Sequence, residues 1–83
     1  MTHTYHPKGV CSRLISFELA EDGTIHNVTF QGGCHGNTQG LSRLAEGMNA
    51  EELVTRLQGI RCGMRPSSCP DQLAKAVSAA LSK

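Results

Sequence analysis

The stretch Val10–Gln31, VCSRLISFELAEDGTIHNVTFQ, decides the fold. Cys11, Arg13, Ile15, Phe17 and Leu19 share one parity, while Ser12, Ser16 and Glu18 share the other. That alternation is the signature of a half-buried strand. Glu21-Asp22-Gly23-Thr24 follows, and Asp-Gly marks a hairpin turn because glycine takes positive φ without steric cost. Ile25 to Gln31 returns as the second strand, with Val28 and Phe30 on one face. A lone hairpin is barely stable in water, so that face needs a cover.

Helical signals supply it. Gly32 to Gly36 breaks the strand, and Asn37 can cap a helix. Leu41, Leu44, Ala45 and Met48 recur at helical spacing, and Gly47 is a stop. Asn49 starts a second helix with Glu52 in capping-box position. Leu53, Val54 and Leu57 form its inner face, and Gly59 ends it. Ile60 to Ser67 reads as an irregular connector holding Cys62. Ser68 or Cys69 opens the last helix, with Pro70 in its first turn, where a missing N–H costs nothing. Leu73, Ala76, Val77, Ala80 and Leu81 are its stripe. The expectation is one α+β domain over residues 9–83: an antiparallel β-hairpin or three-stranded sheet packed against three helices. Residues 1–8 are polar and read as a flexible N-terminal tail, with His3 and His6 exposed in it.

A chain of 83 residues fits one small domain, whose core alone is marginal and is commonly stapled by disulfides or a metal. The formal net charge is +1 with both signs mixed, and Tyr5, Phe17 and Phe30 are the only aromatics. Neither a basic footprint nor stacking platforms are available, so nucleic acid is not an expected partner. Met1 to Gly9 has no apolar signal core, and no apolar run approaches a membrane span. A cytoplasmic protein with reduced thiols is expected, and there such cysteines more often bind metal or do redox chemistry.

The candidates are Cys11, Cys34, Cys62 and Cys69. In an antiparallel hairpin the start of the first strand lies beside the end of the second, which brings Cys11 and Cys34 close. Cys69 precedes Leu73 by four residues and so shares its helix face. If the last helix docks its N-terminus at the same end, Cys69 joins them, with Cys62 seven residues upstream. Four convergent thiolates suit zinc or an iron–sulfur cluster. The spacing matches neither paired C-x-x-C knuckles nor a ferredoxin run. A redox thiol pair and plain buried cysteines therefore stay open beside a shared metal. His35 and Asp71 are possible auxiliary groups, though a solvated loop histidine and a first-turn dipole partner describe them more simply. Gly33 to Asn37 follows a strand and opens a helix, which invites a phosphate-loop reading. Its glycine spacing fits neither the Rossmann nor the Walker pattern and no Lys follows the last glycine, so a nucleotide is only a weakly supported partner. His26 reads as a surface residue, and no catalytic residue identifies itself.

Phe30-Gln31-Gly32-Gly33-Cys34-His35-Gly36-Asn37, Leu57-Gln58-Gly59-Ile60-Arg61-Cys62-Gly63 and Ser67-Ser68-Cys69-Pro70-Asp71-Gln72-Leu73-Ala74 together resemble the TSCPD-domain family. The resemblance runs from about Gly9 to Leu81 and uses all four cysteines, with Ser67 where Thr is usual. Such domains occur alone and at the C-terminus of cobalamin-dependent (class II) ribonucleotide reductases. The resemblance implies a role accessory to ribonucleotide reduction or thiol redox, with a reductase or other redox protein as partner. Stand-alone members often carry the label ribonucleoside-diphosphate reductase, but this chain is too short for the catalytic barrel of one. A weaker resemblance joins it to the U-type iron–sulfur cluster scaffold proteins, whose fold it would share. Cys11, Cys34 and Cys69 fit their three cysteine positions; Arg13 and Ser68 replace an acid and a histidine, and Cys62 is an extra thiol.

Overall fold

β-Branched and aromatic residues alternate with polar ones on either side of Asp22-Gly23, and the backbone follows that pattern into a meander. The computed structural model describes residues 2–7, 12–32, 35–61 and 67–82. Strands β1 (Thr2–Tyr5), β2 (Ser12–Leu19) and β3 (Ile25–Gly32) precede helices α1 (His35–Ala45), α2 (Ala50–Leu57) and α3 (Cys69–Leu81). The sheet is antiparallel in the order β1-β2-β3. The domain is thus α+β, with a three-stranded sheet and three helices among the described residues. No helix among the described residues is long and apolar enough to cross a membrane.

The hairpin turn forms as its sequence demands. Gly23 takes φ +85°, and its N–H donates to the Ala20 carbonyl at 3.0 Å. Asp22 Oδ1 accepts from the Thr24 N–H at 3.1 Å and from the Thr24 hydroxyl at 2.6 Å. Beyond the turn the register slips twice, between Ser16 and Glu18 and between Ser12 and Leu14. At the first slip Asn27 sits at φ +55°, and the extra residue lets Ile25 and Val28, three apart, both face the core. At the second, Arg13 is the extra residue on β2 and is exposed. Simple alternation places Arg13 with Ile15; the bulge corrects that.

Residues 2–5 correct the expectation of a loose tail. They form β1, whose His3 lies opposite Phe17 and whose Tyr5 lies opposite Ile15. The His3 and Phe17 rings stack at 5.4 Å with 23° between their planes. Cross-strand ring contacts of this kind hold a short edge strand in place.

One core unites sheet and helices. Ile15, Phe17, Ile25 and Val28 meet Ala45, Ala50, Leu53, Leu73, Ala76 and Val77. α3 touches α2, β1 and β2, so its buried positions run around most of the helix, Ala74 included. α1 packs on β3, an edge strand. A narrow stripe of Leu41, Ala45 and Met48 satisfies that contact, and Leu44, expected in the stripe, is 75% exposed. Leu81, in the last turn of α3, is likewise exposed. α1 begins at His35, so Asn37 lies inside the first turn instead of capping it.

The loop between α1 and α2 is pinned to the hairpin. Ile25 donates to the Met48 carbonyl at 2.9 Å, Gly47 donates to the Ile25 carbonyl at 2.7 Å, and Ala50 donates to the Gly23 carbonyl at 2.8 Å. Asn49 caps α2 by accepting from the Glu52 N–H at 3.0 Å. The 8 residues of α2 rise about 12 Å along the helix axis.

Candidate functional site

Ser67-Ser68-Cys69-Pro70-Asp71-Gln72 makes the start of α3, and its residues divide by burial. Ser67, Ser68, Asp71 and Gln72 are 3–4% exposed. Cys69 and Pro70 are only partly buried. Ser68 is the N-cap: its extended backbone breaks the helix, and its Oγ accepts from the Asp71 N–H at 3.2 Å. The same hydroxyl donates to the Ile60 carbonyl at 2.6 Å. Asp71 Oδ1 accepts from the Gly59 N–H at 2.7 Å. Asp71 Oδ2 accepts from the Ser67 hydroxyl and faces Lys75 Nζ at 3.3 Å. Gln72 Nε2 donates to Ser67 Oγ at 2.8 Å.

These bonds join the two ends of the connector. Gly59-Ile60 at the exit of α2 and Ser67-Ser68 at the entry of α3 are stitched to one helical turn. Gly59 turns the chain at φ +84°, a conformation that suits glycine because it has no Cβ. Burial pushes the Asp71 carboxyl up, but Ser67, the Gly59 N–H and Lys75 outweigh it and hold the group below its ordinary value. An ionised carboxylate is acceptor-only, which matches the hydroxyl, amide and ammonium around it. Val54, Arg61, Lys75 and Asp71 also line an open cleft between α2 and α3.

Of the sequence candidates, Cys69 occupies the first turn of α3, one turn before the fully buried Leu73. His35 is the first residue of α1 rather than a loop residue. Cys11, Cys34 and Cys62 lie outside the described residues. Their chain neighbours are described: Ser12 pairs with Gly32 across β2 and β3, and Ile60 is bonded to Ser68. Among the described residues, no group of three or more His, Cys, Asp or Glu is arranged to hold a metal ion. The four thiols of the chain are the donor chemistry that zinc and iron–sulfur centres take.

Sequence reasoning missed Ser67, Gly59, Gln72 and Lys75. The four-residue spacing of Asp71 and Lys75 on α3 was a usable local signal, whereas Ser67 precedes the N-cap and lies outside the helix. Gly59 carries no such signal, because its bond to Asp71 is made by tertiary folding. A second cluster, also missed, contains His26. Its Nδ1 lies 2.5 Å from Glu46 Oε2 and its Nε2 2.7 Å from Thr24 Oγ1. Glu46 Oε1 accepts from the Asn27 N–H at 2.9 Å. The Asn27 N–H and then His26 hold the Glu46 carboxyl below its ordinary value. The hydroxyl and amide of Thr24 do the same for Asp22. This cluster ties the hairpin turn to the end of α1, and its hydroxyl is already donated to Asp22.

No curated protein and no solved structure matches the chain. The model of the TSCPD domain matches residues 1–81, taking in β1 as well as the stitched first turn of α3. The chain therefore belongs to the TSCPD-domain family.

Proposed function

We propose that this chain is a small metal-binding domain, in which Cys11, Cys34, Cys62 and Cys69 hold zinc or an iron–sulfur centre. The observation that carries the reading is the stitched connector. Ile60, two residues before Cys62, is bonded to Ser68, the residue before Cys69. The Ser12–Gly32 pairing supports it from the other side, since Cys11 and Cys34 flank that pair in the chain. Bound, the metal would crosslink sheet and last helix, which suits a core built largely from alanine and aliphatic residues. Membership of a family whose domain also ends class II ribonucleotide reductases supports an accessory role in ribonucleotide reduction or thiol redox, alongside a reductase or other redox protein in the cytoplasm.

Native mass spectrometry of anaerobically purified protein tests this. A metal-to-chain ratio near one, or the mass of a cluster, is the expected result. Fully folded, metal-free protein that takes up neither zinc nor iron and sulfide would overturn it.

A further inference from the structure

We propose that Asp71 is a positioning residue: it ties Gly59, at the exit of α2, and Ser67 to the first turn of α3, sets how Cys69 presents its thiol, and is not itself a ligand. The inference rests on the metal-site reading and deepens it.

The division of the motif by burial carries the idea. Buried polar side chains are costly unless hydrogen-bonded, and Ser67, Ser68 and Asp71 are bonded to one another's turn and to the exit of α2. Both carboxylate oxygens of Asp71 are engaged, Oδ1 by Gly59 and Oδ2 by Ser67 and Lys75. Direct ligation through Oδ2 would have to compete with Ser67 and Lys75, and ligation through Oδ1 with the amide that holds the connector. Cys69 sits among these buried groups but stays partly exposed. The hydroxyls and carboxylate therefore fix the frame, and the thiol is the group the frame presents. Residues that orient a ligand in this way matter to a metal site nearly as much as the ligand does.

The test compares the full-length wild type with Asp71→Asn, Ser67→Ala and Ser67→Thr. Ala80→Gly serves as a control that loosens α3 far from the clamp. Two quantities are read: zinc affinity by chelator competition, and the iodoacetamide alkylation rate of Cys69 in metal-free protein by peptide mass spectrometry. Asp71→Asn and Ser67→Ala should weaken zinc binding by about 10–100-fold and change the alkylation rate. Ser67→Thr, which keeps the hydroxyl, should restore both, and Ala80→Gly should leave both unchanged. Wild-type values in Asp71→Asn and Ser67→Ala, or the same changes in Ala80→Gly, would overturn the proposal. A wild type that binds no zinc would count against zinc at the proposed metal site only, because the alkylation comparison still decides the role of Asp71.

Discussion

Gly59 donates its backbone N–H to Asp71 Oδ1 at 2.7 Å, joining the exit of α2 to the first turn of α3. Twelve residues separate the pair in sequence, and between them lies the whole connector that carries Cys62. The bond makes the α2–α3 junction a closed loop, and the stability of that closure is open to measurement.

Ser68 makes two bonds of the closure, one as N-cap and one to Ile60. Replacing it with Ala should lower stability by about 1–2 kcal/mol, the upper part of the usual range for a lost cap. Ser68→Asp, which keeps the cap acceptor and loses the donor to Ile60, should fall between Ala and wild type. Urea unfolding followed by circular dichroism reads both; an unchanged midpoint for Ser68→Ala would contradict the cap.

Leu73 and Leu44 should behave oppositely although both belong to helical apolar stripes. Leu73 is fully buried and Leu44 is 75% exposed. Leu73→Ala should cost about 2–5 kcal/mol through lost transfer energy and a cavity, enough to unfold a small domain. Leu44→Ala should stay within about 0.5 kcal/mol of wild type. Thermal melts at fixed metal content compare them, and a large loss for Leu44→Ala would mean that α1 packs differently.

β1 should contribute to stability. His3 stacks on Phe17, and Tyr5 packs against the core. Deleting residues 1–6 uncovers Phe17 on one side and should lower the melting temperature. His3→Ala alone should cost about 0.5–1.5 kcal/mol, the worth of an aromatic pair. Equal melting of the full and shortened chains would return these residues to the status of a tail.

Acid should loosen the junction of hairpin and α1. The carboxyls of Asp22 and Glu46 are held below their ordinary values of 3.8 and 4.5. Their contribution is complete above those values and is lost as pH falls through the lower, folded-state values. Stability should therefore decline as pH drops below about 4.5. Glu46→Gln should be less stable at neutral pH and show a shallower acid limb. A parallel acid limb in wild type and Glu46→Gln would remove Glu46 from that account.

Much of this architecture can be read along the chain. Asp22-Gly23 determined the hairpin, Asn49 and Ser68 the starts of α2 and α3, and the Leu73-Ala76-Val77-Ala80 spacing the buried side of the last helix, because caps, turns and periodicity act within a few residues. Tertiary structure decided what local signals cannot encode. β1 exists because His3 and Tyr5 meet Phe17 and Ile15 across a strand pair. The bulges at Arg13 and Asn27 shift which residues face inward, and α1 leaves Leu44 outside because it packs on an edge strand. Asp71 gains its partners the same way: a buried carboxylate must find donors, and the nearest amide in space belongs to Gly59, far away along the chain.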